Sequence, residues 1–337
     1  MVRPLFGLAL PSYAANSLRE KGAETYWGVY DFPLNDQTSW RSVADEAKRA
    51  EGLGYESLWT PDHFMLGKNG ETFECLTTLA ALSQITEKVK LGSWVLCNNY
   101  RNPSLVAKTA STLGILSKDR FILGYGAGWY GAEYKAYGYR FPDAPERVQM
   151  FEEGIKIIKG MSEESKFSFN GNFYRVKQAV NTPKPKRRVP IVVGGWGNKI
   201  LKLAAKYADG WDIGGDPPLD QYAQKMTLIK ETLKQTHRSF NDFSTSVHMH
   251  VLIGKNDEEV KEKKRKVMQV VSKLENKVLF RPSTEYKFEI NKALVGTPEE
   301  ARTKLEAYQR IGCKRFILMF MDYPQYDSIG LFASRLM

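Results

Sequence analysis

The stretch Leu58–Phe64, LWTPDHF, sets a carboxylate and an imidazole side by side where an apolar run stops. An imidazole titrates near neutral pH, so His63 is a candidate to give or take a proton. Asp62 is its neighbour, but consecutive residues on an extended strand end point to opposite faces. The two are therefore expected to act apart, one facing inward and one outward, rather than as a dyad. His248 and His250 stand two apart and share one face of their strand. Two imidazoles with no spaced acid or cysteine make a poor metal site, and no metal is expected. The run Gly194–Gly197, GGWG, closes one apolar segment and opens a helical one. Glycines there let backbone N–H groups approach an anion at a helix N-terminus, so a phosphate fits; a plain tight turn explains the same residues. Neither G-x-S-x-G nor H-E-x-x-H occurs, so the common hydrolase and metalloprotease motifs are absent.

The elements that must hold these residues alternate from end to end. Strand-like runs lie at Phe6–Pro11, Leu58–Thr60, Val89–Leu96, Arg120–Tyr125, Pro190–Val193, Trp211–Ile213, Thr245–Ile253 and Arg315–Phe320. Helical spacing or capping signals mark Ser39–Gly54, Phe73–Thr86, Pro103–Leu116, Arg147–Met161, Lys199–Ala208, Leu219–Thr236 and Thr297–Ile311. Repeated βα units imply parallel strands, and eight of them imply one closed (β/α)8 TIM barrel over residues 1–337. Insertions are expected at 162–189, where Asn170-Gly171 signals a hairpin, and at 255–294, which opens on a highly charged helix. Active sites of such barrels lie at the C-terminal strand ends. The unusual residues collect there: Asp62 and His63, then Cys97–Arg101, Gly124–Trp129, Gly194–Gly197 and Gly214–Asp216. Trp59, Trp94, Trp129, Trp196 and Trp211 also sit near strand ends, where aromatic walls commonly hold a flat ring; Trp211 reads as core.

Bulk properties narrow the partners. The chain has 337 residues, 42% hydrophobic and 26% charged, and a net charge of +11. No apolar run reaches the roughly 20 residues that span a bilayer, and the N-terminus reads as a first strand, so a cytoplasmic protein without membrane contact is expected. Basic runs at Lys184–Arg188 and Lys261–Lys266 come with no nucleic-acid motif and read as solvated surface. Cys75, Cys97 and Cys313 are widely spaced and signal neither disulfides nor zinc.

Taken together, FGLALP, AEGLGYESLWTPDHF, VKLGSWVLCNNYRNPSLVAKTASTL, RFILGYGAGWYGAEYKAYGYRFP, FNGNFYRV, PIVVGGWGNKILKLAAKYADGWDI and LVGTPEEARTKLEAYQRIGCKRFIL resemble the bacterial luciferase-like monooxygenases. This is a flavin- and deazaflavin-dependent barrel superfamily, and the resemblance runs over roughly residues 4–325. CNNYRNPSLVAK and GAGWYGAEYKAYG look most like the branch that uses coenzyme F420, an 8-hydroxy-5-deazaflavin. The resemblance implies a non-prolyl cis peptide behind the cofactor ring at Trp94–Val95, although the family usually has small residues where Trp94 stands. It implies Cys97 and Asn98 near the ring edge, and Gly128 and Trp129 in the strand-four loop that contributes to the pocket. It places cofactor phosphate at Gly194, Gly195, Trp196 and Gly197, His63 near the ring as the catalytic group, and Asp62 beside it. It also implies a homodimer.

With F420 the chain would transfer a hydride to or from a small organic substrate. With FMN it would be a monooxygenase using reduced flavin and oxygen, and a third reading is a non-catalytic flavin-binding barrel. The net charge of +11 favours F420, whose oligoglutamate tail is acidic. Residues 16–36, with Tyr26, Trp27 and Tyr30, are expected to fold over the pocket as a lid.

Overall fold

The structure, a computed structural model, describes residues 3–10, 39–65, 71–275, 290, 292–322 and 327–337. The expected lid at 16–36 lies outside them. Eight parallel strands carry the architecture: β1 (Leu5–Ala9), β2 (Ser57–Thr60), β3 (Lys90–Ser93), β4 (Phe121–Gly126), β5 (Ile191–Gly194), β6 (Gly210–Ile213), β7 (Ser244–Ile253) and β8 (Arg315–Phe320). Their order follows the chain, β7 pairs with both β6 and β8, and β8 pairs with β1, so the sheet closes on itself. This is the (β/α)8 barrel expected from the alternation. Every residue of β4 and of β8 is buried. Parallel strands covered on both faces read as continuous apolar runs, which is why RFILGY and RFILMF stand out in the sequence.

The helices begin and end where local chemistry directs. Ser39 and Ser42 form a reciprocal capping box on α1 (Trp40–Leu53), and Gly54 ends it at φ 89°. α2 (Cys75–Ile85) takes the Glu74 carboxylate as its cap, and α3 (Pro103–Leu116) has Pro103 in its first turn behind the Asn102 cap. α4 (Ala144–Glu163), α5 (Asn198–Tyr207), α6 (Leu219–Gln235), α7 (Asp257–Glu275) and α8 (Pro298–Ile311) follow, the last opened by a Thr297–Glu300 capping box. A capping side chain satisfies an N–H that has no partner inside the helix.

Three local features depart from or add to the sequence reading. The strand expected over Val89–Leu96 is interrupted: β3 stops at Ser93, and Leu96–Cys97 re-forms the ladder against Tyr125 and Gly126 of β4. The residues in between carry a cis peptide at Trp94–Val95, where the family resemblance places one. The Asn170-Gly171 signal corresponds to an antiparallel hairpin, Phe167–Asn170 with Arg175–Ala179, outside the barrel sheet. Glu153 on α4 holds its turn by accepting from the N–H groups of Asn172, Phe173 and Tyr174 at 2.7, 3.0 and 3.1 Å. A last helix, α9 (Ser328–Leu336), was not anticipated from sequence; Phe332 packs on Phe6 and Phe320 with centroids 5.2 and 5.9 Å apart.

Candidate active site

The cis-bonded pair is seated by glycines. A Cβ on Gly124 would lie 1.9 Å from the Ser93 carbonyl oxygen and 3.0 Å from Val95 Cγ1, one on Gly126 would lie 2.8 Å from Val95 Cγ2, and one on Gly194 would lie 2.9 Å from both methyls. The glycines of β4 and β5 therefore leave the space into which Val95 projects. Gly194 has this packing duty in addition to any contact with a ligand.

Asp62 and Arg101 fix the far side of the bulge. The buried Asp62 carboxylate accepts the Cys97 N–H at 2.8 Å and both guanidinium nitrogens of Arg101 at 2.8 Å each. Arg101 also reaches Glu74 at 2.7 Å, so the α2 cap, the end of β2 and the end of β3 are joined. A bidentate guanidinium–carboxylate pair sets orientation as well as charge balance.

His63 points to a different partner. Its Nδ1 lies 3.0 Å from Glu133 Oε2, in the short helix Gly131–Ala136 that follows β4. Tyr100 Oη donates to the same oxygen at 2.6 Å, and the N–H groups of Phe64 and Met65 donate to Oε1 at 2.6 and 2.8 Å. Burial alone would raise the Glu133 pKa, but the hydrogen bond and charge of His63, with Tyr100 and Met65, outweigh it and hold it below the usual range. An ionised carboxylate only accepts, so His63 carries a proton on Nδ1. Trp129 and Tyr130 meet the imidazole at centroid distances of 5.7 and 5.8 Å. As expected from strand alternation, Asp62 and His63 share no partner.

The remaining residues singled out in the sequence take distinct places. Cys97 is buried, with Sγ 2.8 Å from Tyr134 Oη, and desolvation pushes its pKa up to about 12, so it is a neutral thiol. Asn98 accepts from Tyr125 Oη at 2.5 Å and donates to Asn99 and Tyr174 at 2.6 and 3.0 Å. Its side chain is thus engaged with the barrel wall and the hairpin. Gly128 sits at φ 77°, and a Cβ there would fall 2.2 Å from Tyr134 Oη. Trp129 and Trp196 are exposed. Gly195 has φ 149°, and Gly197 caps α5 without a side-chain hydrogen bond. The first N–H groups of a helix lack intrahelical partners, so this end suits a phosphate. Trp211 is fully buried, its Nε1 donating to Gly195 O at 2.8 Å, as its core reading implied.

Across the barrel, His248 and His250 share a face with centroids 6.4 Å apart but have separate partners. His248 Nε2 accepts the Gly215 N–H at 3.2 Å, and burial lowers its pKa to about 3, so it is neutral. His250 Nδ1 lies 2.6 Å from Asp216 Oδ2. Among the described residues no group of three or more His, Cys, Asp or Glu side chains is arranged around a metal position.

Asp212 on β6 is buried; it accepts from Ser246 Oγ at 2.6 Å and Trp94 Nε1 at 3.1 Å, and desolvation raises its pKa to about 6. A carboxyl whose folded pKa lies above its unfolded value favours the fold below the unfolded value, and that advantage fades as pH rises through the folded one. Wild-type stability should therefore fall by about 3 kcal/mol across this window relative to Asp212→Asn, which keeps the shape and does not ionise. Urea unfolding of both proteins at pH 4 and pH 7 checks this; equal pH responses would contradict it.

The sequence matches the luciferase-like monooxygenase family over residues 26–315. The chain belongs to this family. Among the relatives of this luciferase-like chain is an F420-dependent glucose-6-phosphate dehydrogenase of Amycolatopsis mediterranei, 27% identical over 67% of this chain and 69% of that protein. Another protein of the same description, from Microbacterium testaceum, is 30% identical over 64% of this chain and 66% of that protein. The aligned region is thus about two thirds of these relatives' length. Among solved structures, an F420-dependent secondary alcohol dehydrogenase in complex with an F420-acetone adduct superposes with a TM-score of 0.75 at 19% identity, covering 99% of this chain and 98% of that one. A long-chain alkane monooxygenase reaches a TM-score of 0.80 at 14% identity, covering 99% and 90%. At these identities the structures support the shared fold alone.

Sequence reasoning missed Glu133 and Asp212, and it placed Tyr100 and Asp216 at the strand ends without assigning either a partner. Glu133 stands inside the quoted GAGWYGAEYKAYG, but no spacing rule links it to a histidine 70 positions earlier.

Proposed function

We propose that this luciferase-like chain is an F420-dependent oxidoreductase that moves a hydride between the deazaflavin and a small organic substrate. The observation that carries the reading is the His63–Glu133 pair at the same barrel end as the Trp94–Val95 bulge and the α5 N-terminus, which has no side-chain cap. The F420-dependent dehydrogenases among the relatives support it. F420 bound there would supply a carbon, C5 of its ring, that accepts or gives a hydride. Backbone N–H groups at Gly197–Ile200, where α5 begins, would hold its phosphate; the Gly195 N–H is already donated to the Asp212 carbonyl at 3.2 Å. Val95, backed by the β4 and β5 glycines, would form the surface behind the ring. His63 Nε2 takes the proton released when a substrate hydroxyl becomes a carbonyl, and returns it in the reverse direction. Glu133 keeps Nδ1 protonated, so that Nε2 is the exchanging atom. The same reading includes a cytoplasmic homodimer, which light scattering at twice the 38.4 kDa chain mass would support and a value at the chain mass would remove.

Removal of the proton-exchanging group tests this directly. His63→Ala should lower kcat with F420 by about 10²–10⁴-fold while F420 affinity stays within a few-fold of wild type. Unchanged turnover would remove His63 from the chemistry.

A further inference from the structure

The indole of Trp94 extends far from the bulge that carries its backbone. In the closed strand ring β3 and β7 are diametrically opposed, with three strands between them on either side. Yet Trp94 Nε1 donates to Asp212 on β6 at 3.1 Å, and the indole meets the His248 ring on β7 at right angles, with centroids 4.2 Å apart. The side chain therefore crosses the barrel lumen. Both anchors are built into the interior. Asp212 is held in turn by Ser246 Oγ at 2.6 Å. His248 is admitted by Gly214, where a Cβ would fall 1.8 Å from the imidazole. Trp196 Nε1 donates to the carbonyl of the same glycine at 3.0 Å, which ties the α5 loop to this wall. Trp94 is only partly buried, so some of the indole surface stays accessible.

We propose that Trp94 is a specificity-determining residue: its indole, tied across the lumen to Asp212 and braced by His248, is the floor of the substrate pocket. The proposal rests on the F420 oxidoreductase reading for the identity of the reaction, but its geometry does not. Barrel interiors of this kind are filled by layers of side chains, and here one side chain from β3 closes a space that a small residue would leave open. A pocket with this floor takes a compact alcohol or carbonyl compound and excludes one that must extend down the barrel axis. The indole offers an aromatic face, and its one polar atom is already engaged by Asp212, so it contacts the apolar part of the substrate.

The test separates the floor from the reaction. A cavity made by truncating a large side chain can bind a small molecule of the missing shape, and indole restores both the ring and the N–H donor that Asp212 accepts. Trp94→Ala should bind indole at least tenfold more tightly than wild type by calorimetry, with or without F420 present. Equal indole affinity would overturn the floor, whatever the protein does with F420. A wild type that binds no F420 would instead overturn the reaction reading and leave the indole result standing. With F420 bound, the ratio of kcat/KM for 1-phenylethanol to that for propan-2-ol should rise at least tenfold in Trp94→Ala. If that variant does not fold, Trp94→Phe, which shortens the ring and removes the Nε1 donor, should move indole affinity and the ratio the same way by a smaller factor. No movement in either quantity would overturn the proposal.

Discussion

Glu133→Ala should lower turnover with F420 by about 10²–10⁴-fold and destabilise the protein by about 3–5 kcal/mol. Both effects trace to one buried carboxylate. Its two oxygens accept from His63 Nδ1, Tyr100 Oη and the N–H groups of Phe64 and Met65, all within 3.0 Å. Truncation strands four donors in a part-buried site, and each unmade hydrogen bond of this kind costs about 1–3 kcal/mol before relaxation. It also frees the imidazole to exchange tautomers and rotate, so Nε2 is no longer the dependable proton acceptor. Glu133→Gln distinguishes the two consequences. The amide keeps the volume and one oxygen for the Phe64 and Met65 N–H groups, but it presents an NH2 to His63 and Tyr100. Stability should recover most of the loss while turnover stays depressed. Urea unfolding and steady-state rates measure the two separately, and full activity in Glu133→Gln would refute the tautomer argument. The carboxylate is held below its ordinary pKa range, so its stabilisation is complete above the unfolded value and is lost as pH falls through the folded one.

The second large effect is expected at Asp62. Asp62→Ala leaves the Arg101 guanidinium, nearly buried, with Glu74 as its remaining carboxylate partner, and it removes the acceptor of the Cys97 N–H. Breaking a buried ion pair from one side costs about 3–5 kcal/mol, because the other charge stays in place. Cys97 directly follows the Trp94–Val95 bulge and Leu96, so the loss should loosen the surface proposed to lie behind the ring. F420 affinity is expected to fall at least tenfold, in contrast with His63→Ala, where affinity is retained. Asp62→Asn keeps one acceptor and should fall between. A variant with wild-type Tm and wild-type F420 affinity would show that the clamp does not support the cofactor surface.

The contrast between these two neighbours shows what could be read in advance. LWTPDHF placed an acid and an imidazole just past a strand end, and the two engage different partners, Arg101 and Glu133. The strands were legible because parallel strands buried on both sides are short continuous apolar runs between helical patterns. Chain order around the barrel followed from the βα alternation. The hairpin was legible in Asn170-Gly171. Partners were not. Arg101 is 39 residues from Asp62 and Glu133 is 70 from His63, and only the side-by-side pairing of β2, β3 and β4 brings them together. Trp94 was noticed as an oversized residue at a position where small ones are usual. That its indole crosses to Asp212 depends on the barrel's diameter and on Gly214 making room for His248, neither of which is a local sequence property. The α9 helix escaped notice because it is short and its cap, Asp327, lies outside any strong periodic pattern.

The most direct measurement of the central claim is a titration of the purified apo protein with F420 and, separately, with FMN, followed by intrinsic tryptophan fluorescence. Trp94 and Trp129 lie at the proposed site and should be quenched by a bound ring. Saturable quenching by F420, with FMN far weaker, is the predicted result. Tight binding of FMN alone would contradict the account and point to oxygen-dependent chemistry, and binding of neither would leave a barrel that holds no flavin-type cofactor.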